Sequence, residues 1–338
     1  MSYRPPFEIS AKIVNQISAI SELIGRLDSQ NMQLSPQLRK QNRIQTIQGT
    51  LAIEGNTLSV EQVTAILEGK RVLGQPREIA EVQGAIRAYE ALPRLNPVSV
   101  KDFRLAHQTL MSDVLVNAGK FRKSAVGIHK GTQVVHVAPP AKRVPQLMDD
   151  LMSWMRSTEE HTLLKSCVFH YELEFIHPFA DGNGRMGRLW QTLILGQWNA
   201  LFYLLPIESV VNAQQESYYQ ALEEADKAAS STVFIEFMLD IIGEVLRQNQ
   251  GVQAFTATGD QVSDQVSDQV SDQVKQLLRV MDDQYWNAAA LMDQLSLSRK
   301  PTFRKHYLNP ALAAGLVVMK YPQSPRSPKQ AYKKVVIS

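Results

Sequence analysis

The chain has 338 residues, 44% of them hydrophobic and 20% charged, which suggests about two domains with room for a sizeable core. Its net charge of +3 is too near balance to mark the whole chain as a nucleic-acid binder, yet it hides a division: residues 1–274 carry 25 basic and 30 acidic side chains, residues 275–338 carry 11 and 3. Cys167 is the only cysteine, so no internal disulfide forms; this usage fits a reducing, cytoplasmic compartment, and no Cys/His cluster has zinc spacing.

The first residues, MSYRPPFEIS, lack the apolar run of a signal peptide. Ile9, Ile13, Ile17, Ile20 and Ile24 form one stripe and predict helix within the first 35 residues. Ser35-Pro36 reads as N-cap and N1 of a second helix, which carries Ile44, Ile47 and Leu51 on one face and stops at Gly55-Asn56, with Gly55 as the C′ residue. Leu58-Ser59 with Gln62 and Val63 makes a capping box and a hydrophobic staple, opening a helix to about Leu67. More helix is predicted over residues 80–92 and 99–111.

Between Phe121 and Pro140 the pattern changes. Val126, Ile128, Val134, Val135 and Val137 flank His129-Lys130-Gly131-Thr132 and predict a short hairpin with a glycine turn. Helix returns over residues 144–156 and 161–176, the latter with Leu164, Cys167, Val168, Tyr171 and Phe175 at helical spacing. Another helix starts near Arg185, and two follow over residues 212–228 and 233–248. Residues 189–207 contain no formal charge over 19 positions, near the length of a membrane span. Gln191, Thr192, Gly196, Gln197, Asn199 and Pro206 make the stretch too polar for one, so it reads as a buried helix and the loop after it, with no membrane segment.

Residues 260–274 repeat DQVS, with valines at 262, 266, 270 and 274. A helix with a drifting apolar stripe and a solvated linker both fit; aspartates recurring every four residues weaken a helix and favour the linker. Beyond it the pattern reads helix (275–281), helix (287–295), helix (298–308), strand (316–321), a Pro-rich loop (322–328) and a second strand (331–337). Three helices and a hairpin with a basic loop describe a winged helix. Arg299, Lys300, Arg304, Lys305 and His306 lie on its third helix, and Lys329, Lys333 and Lys334 follow the loop, so residues 299–334 are a candidate DNA-binding face. Protein contact is the other use of such a module.

The segment richest in chemistry is His177-Pro-Phe-Ala-Asp-Gly-Asn-Gly-Arg-Met-Gly-Arg188, between two apolar helices. His177 ends one helix and can act as a general base near neutral pH. Asp181 is a hard oxygen ligand suited to Mg²⁺. Gly182, Asn183 and Gly184 open the next helix, whose bare N–H groups make an anion site. Arg185 and Arg188 are three apart on one helical face and can both reach phosphate. A base, a metal ligand, an anion nest and two arginines within 12 residues describe phosphoryl or nucleotidyl transfer.

HPFADGNGRMGR resembles the signature of the Fic family, HPFx[D/E]GNGRxxR, at every specified position. The resemblance covers roughly residues 36–250. It implies a mainly α fold, a helical bundle with a β-hairpin flap, and a reaction that moves AMP from ATP to a Ser, Thr or Tyr hydroxyl of a protein, releasing pyrophosphate. By position, His177 would deprotonate the hydroxyl, Asp181 would hold Mg²⁺ on the α- and β-phosphates, Gly182, Asn183, Gly184 and Arg185 would cradle the phosphates, and Arg188 would hold the γ-phosphate. Val134, Val135, His136 and Val137 would form the flap, pairing with the target segment and touching the nucleotide, although strands that only complete the core remain an alternative. Tyr218 would line the adenine site. Asp226 stands where the family often has an Asn that contacts adenine or ribose, so that contact stays open.

Thr50-Leu-Ala-Ile-Glu54-Gly55-Asn56 puts a carboxylate in the last turn of a helix, where the macrodipole disfavours it and an arginine would compensate. It resembles the Fic inhibitory motif [S/T]xxxE[G/N], which implies that Glu54 pairs with Arg188 and takes the γ-phosphate position, with Thr50 and Gly55 completing the motif. The domains expected are an N-terminal helical region (1–98), a Fic core (99–250), a linker (251–274) and a winged-helix-like domain (275–338). The resemblance also makes a homodimer an expectation. Two other functional readings stay open: removal of AMP or use of another phosphate-linked donor, and a DNA-binding regulator whose Fic core senses nucleotide.

Overall fold

A computed structural model of the chain describes residues 3–29, 36–125, 127–130, 133–257, 272–281, 284–295, 297, 300–313, 316–320 and 330–334. The chain forms two compact units, Met1–Gln250 and Gly251–Ser338. Residues 1–98 and 99–250, which differ in sequence character, thus share the first.

The first unit is built of helices α1 (Ala11–Ser29), α2 (Pro36–Ala52), α3 (Val60–Leu67), α4 (Pro76–Ala91), α5 (Val100–Met111), α6 (Val144–Ser157), α7 (Thr162–Ile176), α8 (Asn183–Trp198), α9 (Ile207–Ala213), α10 (Gln215–Ala228) and most of α11 (Thr232–Ala257), whose last residues pass Gln250 into the segment expected as a linker. Between α5 and α6 lies an antiparallel hairpin of β1 (Gly127–Lys130) and β2 (Gln133–Val137), with Gly127 opposite Val137 and a register irregularity between Ile128 and His129. The side chains of Val134, Val135, His136 and Val137 lie outside the described features, as do Gly131 and Thr132 of the expected turn.

Local signals set most boundaries. Ser59 accepts from the Gln62 N–H, and the Gln62 side chain accepts from the Ser59 N–H at 2.9 Å, closing the capping box that opens α3. Gly55 takes φ +87° just past α2. Two readings need correction. Ile9 precedes α1 and is exposed, because the helix begins only at Ala11. Residues 199–228 are not one loop and one helix: after Pro206 the chain makes the short helix α9 before α10 starts at Gln215.

α7 and α8 form the centre. α7 is buried on nearly every face, from Leu163 to Ile176, and α8 from Asn183 to Gly196. A helix that is apolar all round needs neighbours on all sides. The others wrap them, and the HPFADGNGR segment crosses between the two. Phe179 anchors that crossing: it is fully buried, stacks on Phe103 at 5.3 Å, and Phe103 packs edge-on to Trp190 at 5.0 Å.

The second unit contains α12 (Asp272–Val280), β3 (Trp286–Asn287), α13 (Ala288–Gln294), α14 (Lys300–Phe303), a π-wound stretch Arg304–Leu308, α15 (Asn309–Ala313), β4 (Val317–Met319) and β5 (Ala331–Lys334). The sheet is antiparallel with order β3-β5-β4; the two-residue β3 is too short to announce itself in sequence. Val274, Leu277, Leu291, Phe303, Leu308, Val317 and Tyr332 form its core. The last unit of the DQVS repeat therefore belongs to a packed helix, and residues 258–271 lie outside the described residues. So do Arg299, the Pro-rich loop 322–328 and residues 335–337. Among the described residues no helix is long and apolar enough to cross a membrane.

Candidate active site

His177 is the C-cap of α7. Its N–H bonds to Leu173 O at 2.9 Å, and its backbone is left-handed at φ 49°, uncommon for a residue with a Cβ. This turn throws the chain out of α7 and into the loop that carries Asp181.

Asp181 is fixed from several sides. Its Oδ1 accepts from the Gly182 N–H at 2.7 Å and from Arg185 at 3.2 Å, and its Oδ2 accepts from Arg77 at 3.3 Å. Its main-chain oxygen accepts from Nε2 of buried His107 at 2.9 Å. The Gly119 N–H donates to His107 Nδ1 at 2.7 Å, so the ring's proton sits on Nε2. Burial pushes the His107 pKa down to about 4, keeping the ring neutral, and it stacks on Phe179 at 3.6 Å. The Asp181 side chain is 41% exposed and its Arg77 partner is exposed too, so Oδ2 is the oxygen available to a divalent cation. One carboxylate completed by phosphate oxygens and water is a common arrangement for Mg²⁺, and the residues fit that ion. Among the described residues no group of three or more His, Cys, Asp or Glu could hold a metal by itself.

α8 starts at Gly182, its N-cap, at φ +82°. Met186 is the first residue to bond back, to Gly182 O at 3.0 Å, so the N–H groups of Asn183, Gly184 and Arg185 have no partner within the helix. The Asn183 side chain does not face that end. It exchanges two hydrogen bonds with the main chain of Phe179, at 2.9 and 3.0 Å, and shapes the loop. Any anion contact by Asn183 is therefore through its backbone.

Glu54 lies against this helix end. Arg188, 3% exposed, donates to Glu54 Oε1 at 2.7 Å and also to Thr50 Oγ1 at 3.0 Å and Thr50 O at 3.1 Å. A Cβ on Gly184 would stand 2.5 Å from Glu54 Oε1, so a side chain here would push the carboxylate from its present place. Burial works against the Arg188 cation, but the ion pair with Glu54 outweighs it and holds its pKa above the ordinary value. The carboxylate that α2's own dipole disfavours is accommodated at the positive end of α8.

Residues without a sequence signal complete the site. Glu81 of α4 approaches Arg185 at 3.4 Å and Arg77 at 3.4 Å, and it accepts from Asn56 Nδ2 at 3.0 Å. From α10, Gln215 Nε2 donates to Ile53 O at 2.8 Å, and the Tyr219 hydroxyl donates to the same oxygen at 3.3 Å. Nothing periodic marks these positions, because long-range packing alone brings them here. His107 did leave a trace, as a polar residue on the apolar stripe of Phe103, Leu110 and Met111.

Tyr218 is buried beneath this end of α2, its hydroxyl 3.1 Å from His170 Nε2; His170 Nδ1 meets Gln191 Oε1 at 2.7 Å. Asp226 is half-buried and accepts from the Tyr171 hydroxyl at 2.8 Å. Cys167 is no nucleophile: burial pushes its pKa up to about 12.

Residues 97–195 match the Fic/DOC family, and residues 272–334 match the C-terminal domain of Fic-like "filamentation induced by cAMP" proteins. A protein adenylyltransferase Fic of Aedes aegypti is 27% identical over 230 residues, 65% of this chain and 44% of that protein. Protein adenylyltransferase fic-1 of Caenorhabditis briggsae is 33% identical over 192 residues, 52% and 35% of the two. The chain thus spans less than half the length of these relatives. Among solved structures, a Fic family protein from Desulfovibrio desulfuricans G20 matches over 98% of both chains, at 48% identity and TM-score 0.72. The fold is shared with Fic-1 (residues 134–508) of Caenorhabditis elegans at TM-score 0.60 and 22% identity, over 72% of this chain and 74% of that one.

Proposed function

The chain belongs to the Fic family, and from that premise we propose that it is a protein adenylyltransferase, moving AMP from ATP to a Ser, Thr or Tyr hydroxyl of a protein, and that Glu54 restrains it. What supports the reading most is one arrangement. The segment from His177 to Arg188 lines up a base, a carboxylate, a helix N-terminus and a buried arginine, and a carboxylate of the same chain lies on that arginine at 2.7 Å.

In this reading the nucleotide phosphates lie on the N–H groups of Gly184 and Arg185, where the positive end of α8 favours them. Arg188 holds the terminal phosphate and is kept in place by Thr50. Mg²⁺ on Asp181 would neutralise phosphate charge. His177 takes the hydroxyl proton as the hydroxyl oxygen attacks the α-phosphorus, and pyrophosphate leaves. Tyr218, expected to line the adenine site, is buried against His170, so contact with the nucleotide base would require it to be uncovered. Glu54 and the terminal phosphate compete for Arg188, so ATP binding with Glu54 in place leaves the phosphates out of line for attack.

Incubation with α-labelled ATP and Mg²⁺, with the label located by mass spectrometry, tests this directly. Self-labelling should rise at least tenfold on Glu54→Gly, about 1.4 kcal/mol at the transition state, and disappear in Glu54→Gly/His177→Ala. Equal labelling by wild type and Glu54→Gly would remove the case for inhibition, and labelling that survives loss of His177 would remove the case for the base. A cytoplasmic location and a homodimer accompany this reading as expectations, the latter open to a sedimentation measurement.

A further inference from the structure

Arg122 lies between α5 and the hairpin and is only 5% exposed. Its guanidinium is spent on main-chain carbonyls. Nε donates to His177 O at 2.7 Å and one terminal nitrogen to Ser124 O at 2.9 Å. The other terminal nitrogen donates to Pro139 O at 2.5 Å and Ile176 O at 3.3 Å. The Arg122 main-chain N–H adds a bond to Pro178 O at 2.9 Å.

These acceptors fall into two groups. Ile176 and His177 end α7, and their carbonyls belong to the last turn, which has no intrahelical donors; a cation here also favours the helix dipole. Ser124 and Pro139 are the two feet of the hairpin, three residues before β1 and two after β2. One planar, rigid fork thus holds the left-handed turn of His177 and both feet of the hairpin together. A left-handed non-glycine residue costs about 1 kcal/mol and persists only where its surroundings impose it.

We propose that Arg122 is a positioning residue that registers the β1–β2 hairpin against His177, so that an acceptor segment lying on the hairpin meets the base at the right distance. The inference deepens the adenylyltransferase reading and rests on it for the acceptor. Arg122 touches no atom assigned to ATP, so its loss should reduce transfer and leave nucleotide affinity in place.

The test uses the full chain carrying Glu54→Gly, compared with Arg122→Lys and Arg122→Met in that background. Three quantities are measured: ATP affinity by calorimetry, the self-labelling rate at saturating ATP, and amide exchange in the two strands and in residues 176–178. The expected result is an ATP Kd within about threefold of the parent and labelling lowered about 30-fold in Arg122→Met, the scale of an ångström-level misplacement. Arg122→Lys, which keeps the charge and loses the fork, should fall between. Exchange should rise in Gly127–Lys130 and Gln133–Val137 but not in α8. Unchanged strand exchange, or a loss of ATP affinity in step with labelling, would overturn the proposal. If the Glu54→Gly parent itself does not label, the transfer reading fails, and the exchange data still decide whether Arg122 holds the hairpin to His177.

Discussion

Gly184 shows how finely one residue divides two occupants. With no Cβ it leaves a gap at the head of α8 that Glu54 fills in this structure and that a phosphate oxygen would fill in the proposed reaction. Behind it, His170 illustrates what burial does to a titratable group. Its pKa is pushed down to about 3, first by burial and further by the Arg188 charge, against a hydrogen bond to Gln191 that acts in the opposite sense. The folded chain keeps this ring neutral, while the unfolded chain protonates it near 6.5. Its contribution to stability is therefore intact above pH 6.5 and shrinks as the pH falls from there towards about 3. Glu172, raised to about 7 by burial, acts in the reverse sense, losing stability as the pH rises from 4.5 through 7. His170→Gln should lower the melting temperature near neutrality and flatten its decline on acidification relative to wild type; an equally steep decline would remove His170 as a cause.

At the scale of elements, the end of α2 is held from three directions: by Arg188 of α8 on Thr50 and Glu54, by Gln215 and Tyr219 of α10 on Ile53 O, and by Glu81 of α4 on Asn56. Gln215→Ala with Tyr219→Phe removes the donors to Ile53 O and leaves the Glu54–Arg188 pair intact. Self-labelling should then rise about three- to tenfold, less than in Glu54→Gly, because the two lost hydrogen bonds, one of them long at 3.3 Å, are worth about 1 kcal/mol together. No rise would mean that the contacts from Arg188 and Glu81 suffice to keep the end of α2 in place. The elements also differ in how readable they were. The Ser59 box, the Gly55 stop and the run from His177 to Arg188 are contiguous in the chain, so their chemistry could be read from spacing. Glu81, Arg77, Gln215 and Arg122 act on main-chain or distant atoms that folding delivers, and a sequence records no partner for them. α9 was lost because Pro206 and the apolar run before it blend into one signal, and β3 because two residues carry no period.

Over the whole molecule, charge is distributed by unit. In the proposed reaction the first unit would meet a polyanion with few local devices, a helix end and two buried arginines, whereas the basic excess lies in residues 275–338. Not all of that excess is available. Lys334 Nζ donates to Leu278 O at 3.2 Å and Lys320 lies 5.4 Å over the Tyr285 ring, while Arg304 is exposed. If this unit binds duplex DNA, affinity should fall steeply between 50 and 200 mM salt, about 0.9 in log–log slope per phosphate contact, and Arg304→Ala should lower that slope by about one contact. Absence of binding at low salt would assign the unit to protein contacts instead.

Glu54 and Arg188 belong to one chain, 134 positions apart, and this would fix the molecularity of the proposed restraint. An intramolecular ligand has a constant effective concentration that dilution does not change. Basal labelling per molecule should therefore be the same in dilute and concentrated solution as long as only this contact governs it. A basal rate that varies with protein concentration would report a second molecule acting on α2, and would place the control of the enzyme between chains.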